Sequence, residues 1–217
     1  MSKNIIQKLQ YRITRDKKNA EYRRRLTNKD FTIISQNCLG GVIYSQLGME
    51  FFSPTINMFI EDESFIKLAY NPKKYFSIDP VAITDKYVEP LDPSVSYPKI
   101  GIDDIEICCL HYKDCVDAID AWNRRRKRVN LDNVFVIGNS WNMHSDQQLV
   151  EKIADAPYKT IVFSTIDIPR DNVILLKDDF WHLDQRGIVR PNITDDIPGS
   201  SIKYFEKYFD FVSWFNS

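Results

Sequence analysis

The chain lacks several features that would assign it to a known class. Its 217 residues contain no apolar run near the roughly 20 residues that a membrane-spanning helix needs, and residues 1–9 have no apolar core of a signal peptide. The cysteines, Cys38, Cys108, Cys109 and Cys115, fit no zinc spacing. An Asp-x-Asp metal motif and internal repeats are also missing. We therefore expect a cytoplasmic protein with free thiols and no metal site, and the sequence indicates no particular cofactor.

The charge balance bears on the class of partner. The formal net charge is −1, so the chain as a whole is not a polyanion binder. The dense basic run at residues 124–128 has no aromatic residues interleaved with it, and we expect no nucleic-acid partner. Hydrophobic residues make up 43% of the chain, which is enough for a substantial core.

The N-terminal segment, residues 2–28, differs from the rest in charge. It contains nine Lys and Arg residues against two acidic ones and has no Gly or Pro, so we predict a basic helix. One interpretation is a helix that packs on the domain through its apolar stripe. The other is a peripheral contact with an anionic membrane surface.

Strand and helix patterns alternate along the remainder of the chain. Short apolar runs predict buried strands, whereas 3.6-residue periodicity predicts helices. The predicted strands are 31–35, 105–112, 134–138, 160–164 and 173–176, and the helices are 41–48, 61–70, 115–126, 147–154 and 204–215. Asn71-Pro72 is predicted to stop the 61–70 helix. Residues 78–98 are rich in proline and predict irregular structure, or a β excursion around 82–88.

This order predicts an α/β fold: a mostly parallel β-sheet flanked by helices in Rossmann-like layers, preceded by the basic N-terminal helix. We place the domain boundary after residue 28, with an α/β domain over 29–217 that can be subdivided near 71–100.

The most informative segment is 31–41, where a buried strand runs into a small-residue turn and then a helix. Cys38 follows the strand beside Gly40 and Gly41, near a predicted helix N-terminus. Such a position lowers a thiol pKa and exposes a nucleophile, and the glycines would let backbone N–H groups approach an oxyanion. The structural alternative is a buried thiol. Ser35 and Asn37 are rival polar groups that can instead bond the turn backbone.

Other polar groups follow predicted strands. His111, beside Tyr112, ends the 105–112 strand, and we expect it at the same sheet edge as Cys38, as a general base or as a satisfied partly buried histidine. Asn139 follows the 134–138 strand in a second polar turn. Arg124 and Arg125 complement the C-terminal helix dipole or clamp a phosphate.

The combination of these motifs resembles the DUF1919 family, whose members are often labelled exopolysaccharide or capsular polysaccharide biosynthesis proteins. The matching pieces are 34–41, Tyr44, 47–48, 53–55, Asn57, 59–60, 97–98, 104–106, 111–112, Trp122, 124–125, 128–130 and 208–216. The family pattern has an aromatic residue at the position of Leu39. It also has an Asp-Arg-Asp-like turn where this chain has residues 138–142.

The resemblance implies an α/β fold and a role near surface-glycan assembly. One hypothesis is a transferase that moves an acyl or glycosyl group from an acyl-CoA, nucleotide-sugar or sugar-phosphate donor. For acyl transfer, Cys38 or Ser35 would be the nucleophile or His111 the base, and for glycosyl transfer the base would be Asp104 or Glu106. We add Asn57 to the substrate-binding candidates, which also include Ser35, Asn37, Gly40, Gly41, Tyr112, Arg124, Arg125 and Asn139. The alternative is a non-catalytic glycan-binding or membrane-synthase docking protein.

Overall fold

The computed structural model describes residues 2–89, 93–140, 146–177 and 193–217, with side chains from residue 7 onward except at Ser140. The chain divides into two compact units. One consists of Asp30–Gly41 and Phe51–Leu175, and the other of Met1–Lys29, Val42–Glu50 and Leu176–Ser217. We call them the sheet unit and the terminal unit.

The described residues form eight helices and seven strands. The helices are α1 (Ser2–Arg25), α2 (Leu39–Leu47), α3 (Asp62–Tyr70), α4 (Pro72–Ser77), α5 (Cys115–Arg126), α6 (Gln147–Ala154), α7 (Tyr204–Tyr208) and α8 (Phe211–Phe215). The strands are β1 (Thr32–Ser35), β2 (Val81–Val88), β3 (Ser96–Ile102), β4 (Ile105–Cys108), β5 (Val134–Ser140), β6 (Lys159–Ser164) and β7 (Val173–Leu175).

A parallel sheet of four strands forms the centre of the sheet unit. Its order is β1-β5-β6-β7, with every neighbouring pair parallel. β1 is buried along its whole length and pairs Ile33 with Phe135 of β5. Strands covered on both faces need the continuous apolar runs that the sequence contains. The predicted mixed α/β fold with a mostly parallel sheet is confirmed.

A second sheet, β2-β3-β4, is antiparallel and lies in the sequence between β1 and β5. β3 was not predicted, because Tyr97-Pro98 interrupts its pattern. Proline has no N–H for a ladder, and Pro98 sits where the β2–β3 register shifts between Thr84 and Tyr87. Its carbonyl accepts from the N–H of Cys109 at 2.9 Å.

Two boundaries differ from the sequence predictions, and a third agrees with them. The predicted strand over 105–112 ends at Cys108 and belongs to the antiparallel sheet, not to the parallel one. The predicted stop at Asn71-Pro72 is confirmed, because α3 ends at Tyr70; the Asn71 side chain then caps α4, which starts with Pro72. The predicted closing helix is two helices, because Asp210 caps a new one and accepts from the Ser213 N–H at 3.3 Å.

The terminal unit packs α1 against α8. Tyr22 of α1 meets Phe211 of α8 edge-on, with ring centroids 4.8 Å apart. Arg15, which is buried, donates to Glu206 at 2.8 Å and to the Ser201 carbonyl at 2.8 Å. Burial of one α1 face against these groups leaves the opposite face of the helix to solvent.

Close packing at Gly138 gives a direct test of the parallel sheet. A Cβ atom there would lie 2.4 Å from Cγ2 of Ile153 on α6, whereas one at Gly101 would lie 3.3 Å from Cδ1 of the exposed Ile83. We expect Gly138→Ala to lower the free energy of unfolding by about 1–3 kcal/mol through overpacking. Urea denaturation measures this, with Gly101→Ala as the control expected to cost less. Equal losses would contradict the packing of α6 on β5.

Candidate active site

Cys38 lies between β1 and α2. β1 ends at Ser35, and α2 begins at Leu39, so the cysteine occupies the position before the first helical residue. Its thiol is half-buried, whereas Cys108, Cys109 and Cys115 are buried. Among the cysteines, Cys38 is therefore the one with a solvent-accessible thiol.

The imidazole of His111 contacts this thiol. Nε2 of His111 lies 3.1 Å from Sγ of Cys38, and His111 is itself exposed. With the ring proton on Nδ1, the thiol donates to Nε2; that tautomer is assigned from the contact. The two residues are 73 positions apart in the sequence. A thiol that donates to an imidazole can pass its proton to it as it attacks an electrophile.

The route by which they meet differs from the expected one. His111 follows β4 of the antiparallel sheet, so it does not share an edge of the parallel sheet with Cys38. A connecting stretch, the 53–60 segment, joins the two places. The Ile60 N–H donates to the Gln36 carbonyl at 2.9 Å, and Phe59 and Cys108 exchange two backbone hydrogen bonds of 2.8 Å. The end of β1 is thereby held beside the end of β4.

The first amides of α2 are already hydrogen-bonded. Asn37 Oδ1 accepts from the Leu39 N–H at 3.0 Å, and Ser35 Oγ accepts from the Gly40 N–H at 3.2 Å. Ser35 and Asn37 therefore cap the helix, in agreement with the alternative in which they bond the turn backbone. The expectation that the Gly40 N–H is available to an oxyanion is wrong in this structure.

Burial controls the acidity of the Cys38 thiol. Desolvation raises the pKa of the Cys38 thiol to about 11, although its own backbone N–H acts in the opposite direction. The predicted lowering by the helix N-terminus is therefore wrong, because that terminus is satisfied by side chains while the thiol loses water. The resting group is the protonated thiol, and its activation depends on a proton acceptor.

Asn57 lies against the first turn of α2. It has a positive φ of 62°, a left-handed conformation that asparagine tolerates better than most residues. A Cβ on Gly41 would come 2.9 Å from Asn57 Oδ1 and 2.9 Å from Cγ2 of Ile56. Glycine at position 41 thus permits the close approach of the 53–60 segment to the helix, as only a residue without a side chain can.

Tyr112 and Arg125 both contact the backbone of the 53–60 segment. Ile56 accepts at its carbonyl from the Tyr112 hydroxyl at 2.8 Å and from Arg125 Nη1 at 3.1 Å. Arg125 is only 7% exposed and lies over the ring of Phe51. This arrangement gives Arg125 a positioning role in place of the predicted phosphate clamp. Arg124 is exposed on another side of α5 and is not gathered with it.

Asn139 is hydrogen-bonded to Gln36, which lies two residues before Cys38 and was not among the predicted site residues. Gln36 is fully buried, accepts from the Asn139 N–H at 2.8 Å and donates to the Asp62 carboxylate. Asn139 is 3% exposed, and its Oδ1 has no hydrogen-bond partner among the described residues. Gln36 could have been recognised in the sequence as a polar residue that directly follows a buried strand and precedes Asn37.

Asp104 lies elsewhere. It precedes β4, whereas His111 follows that strand, so the two are at opposite ends. Hydrogen bonds from Lys67 and Tyr75 lower the pKa of the Asp104 carboxyl to about 2. A weakly basic carboxylate paired with lysines does not fit the predicted role of a base beside Cys38.

Comparison with known proteins gives the family. Residues 9–216 match the domain of unknown function DUF1919. The chain belongs to this family. It is similar to an uncharacterised protein of Haemophilus influenzae, with 28% identity over 204 residues that cover 91% of this chain and 90% of that protein. The resemblance to DUF1919 inferred from the sequence is confirmed.

The described ranges of this DUF1919 protein bear on metal binding and membrane insertion. Within the described ranges, no group of three or more His, Cys, Asp or Glu side chains is placed to hold a metal ion. No helix in those ranges is both long and apolar enough to cross a bilayer.

The raised pKa predicts how Cys38 reacts with iodoacetamide. Because only the thiolate reacts, we expect the alkylation rate to keep rising from about pH 9 to about pH 11, where a free cysteine of pKa about 8.5 already levels off. Mass spectrometry of the Cys38 peptide measures the rate. A plateau near neutral pH would contradict the burial argument.

The same shift has a consequence for stability. The pKa of the Cys38 thiol is higher in the folded protein than in the unfolded chain. Its contribution to the free energy of unfolding is therefore complete below the unfolded-state pKa and is lost as the pH rises through about 11.

Proposed function

We propose that this DUF1919 protein is an acyl-transfer enzyme in which Cys38 is the nucleophile and His111 the general base. The observation that carries the proposal is the 3.1 Å contact between Sγ and Nε2. A half-buried thiol of high pKa needs a nearby base to become nucleophilic, and His111 is within hydrogen-bonding distance.

The reaction has two balanced halves. As Sγ attacks the carbonyl carbon of an acyl-CoA, His111 Nε2 takes the thiol proton; the bond from that carbon to the CoA sulfur then breaks, and the leaving thiolate takes the proton from His111. An acceptor hydroxyl next gives its proton to His111 and attacks the acyl-cysteine. Cys38 leaves as thiolate and recovers that proton.

Two further points concern the type of group that is transferred and the acceptor that receives it. The glycosyl-transfer alternative is less well supported, because its candidate base Asp104 lies at the other end of β4, bonded to Lys67 at 2.9 Å, and its other candidate base, Glu106, is bonded to Lys99 at 2.6 Å. The surface-polysaccharide setting, with a glycan or its lipid-linked precursor as acceptor, rests on the label often given to family members.

Acylation of Cys38 tests the proposal. We expect incubation with a panel of acyl-CoAs to add one acyl mass to the protein, on the Cys38 peptide. The adduct should be lost in Cys38→Ala and form at least about 10²-fold more slowly in His111→Ala, which lacks the base. Intact-protein mass spectrometry measures this, and thermal shift with the same donors and with UDP- and CMP-sugars reports binding. Donor binding without any adduct would contradict the acyl-transfer proposal.

A second candidate function, docking on a membrane surface, is favoured by one observation on α1. Leu9 and Ile13 are large apolar side chains one turn apart that are 57% and 47% exposed. Lys8 and Arg12 adjoin them in the sequence and are also exposed. Apolar residues flanked by cations are the composition of helices that lie in the interface of anionic membranes.

Vesicle sedimentation tests the docking function. We expect the protein to bind phosphatidylglycerol vesicles but not phosphatidylcholine ones, and Leu9→Ser/Ile13→Ser to weaken that binding at least about tenfold because apolar contact is lost. The matched control is Leu175→Ser, another exposed apolar residue, far along the chain in β7. Point changes are preferable to removing residues 1–28, which would leave the buried Glu206 without Arg15. Equal binding by all variants would contradict this role for α1.

A further inference from the structure

Attack of Cys38 on a carbonyl carbon creates a negatively charged oxygen that needs a hydrogen-bond donor. In many acyl-transfer sites, backbone amides at a helix N-terminus supply it. Here the amides of Leu39 and Gly40 already donate to Asn37 and Ser35. The backbone N–H of Cys38, which acts on its own thiol, is one donor at this position, and a second donor for the oxyanion must come from another group near Cys38.

The side-chain amide of Asn57 lies near this turn. Its carboxamide abuts Gly41, in the same first helical turn that Cys38 precedes, with Cγ 3.9 Å and Oδ1 2.9 Å from the position of a Gly41 Cβ. Asn57 is half-buried. Within the described ranges, no hydrogen bond engages its side chain. Rotation about χ2 exchanges Oδ1 and Nδ2, so the N–H groups can face the turn.

The backbone holds this side chain in a fixed place. Asn57 has a positive φ of 62°, and anchored residues flank it on both sides. On one side Tyr112 and Arg125 hold the Ile56 carbonyl, and on the other Phe59 pairs with Cys108. An unfavourable conformation kept by neighbouring hydrogen bonds is common at functional sites, where it preorganises a group.

We propose that the side-chain amide of Asn57 donates a hydrogen bond to the oxyanion formed when Cys38 attacks an acyl carbonyl. This inference rests on the proposed acyl-transfer function and extends it with a residue that stabilises the transition state. The group transferred is accordingly a carbonyl-containing acyl group, held with its oxygen toward Asn57.

Two reactions of the same thiol separate this role from a structural one. Acylation of Cys38 by p-nitrophenyl acetate passes through an oxyanion, whereas alkylation by iodoacetamide is a direct displacement that forms none. We expect Asn57→Gly, which fits the positive φ, to slow acylation by about 10²–10³-fold and to leave alkylation within about twofold. Asn57→Asp, which keeps the shape but replaces donors by a negative charge, should slow acylation more than it slows alkylation.

Asp103→Gly is the matched control, because Asp103 is a non-glycine residue with a positive φ of 54° that lies beside Asp104, away from Cys38. It should change neither rate. Equal slowing of both reactions by Asn57→Gly, or of neither, would overturn the role of Asn57. If wild-type Cys38 is acylated no faster than in the urea-unfolded chain, the acyl-transfer function itself fails, and this inference with it.

Discussion

The hydrogen bonds of the 53–60 segment are the constraint on which the candidate site depends. This short stretch bonds to Gln36 on one side and to Cys108 on the other, and so connects the parallel sheet to the antiparallel one within the sheet unit. Cys38 comes two residues after Gln36, and His111 three residues after Cys108. Because each backbone contact fixes the start of a short turn, the two reactive side chains are brought together by main-chain geometry and do not depend on their own weak contact.

Burial and helix capping both favour the protonated form of the Cys38 thiol. A helix N-terminus would favour a thiolate, but side chains of Ser35 and Asn37 satisfy its amides, and desolvation favours the neutral thiol. In the proposed function, the Cys38 proton therefore passes to His111 during attack, and the site does not depend on a preformed ion pair. Because those amides are satisfied, we propose the Asn57 side chain as a donor to the oxyanion.

Much of the fold could be predicted from the sequence where local signals are strong. α5 and α6 begin and end where their patterns predict, because Asp114 and Asp146 accept hydrogen bonds from the first turns. The parallel strands follow from apolar runs such as 134–138. β3 was not recognisable, because Pro98 masks its pattern. The sheet to which β4 belongs is decided by pairing with β3, which no local signal encodes.

The site was only partly predictable for a related reason. Residue types and strand ends identified Cys38, His111 and Asn139 as candidates, since polar groups after buried strands gather at sheet edges. The sequence could not give the Sγ–Nε2 contact, the capping of α2 or the buried position of Arg125, because each depends on hydrogen bonds between distant segments. Desolvation of the thiol is likewise a property of packing, and it reversed the expected direction of the pKa change.

The most direct test of the central claim is the ¹⁵N chemical shift of His111 Nε2, assigned by the loss of its signal in His111→Gln. If the Cys38 thiol donates to this nitrogen, Cys38→Ala removes the hydrogen bond, and the account predicts a change in the Nε2 shift while the backbone spectrum of the parallel sheet stays the same. An Nε2 resonance identical in the two proteins would show that thiol and imidazole are not in contact, and would contradict the account.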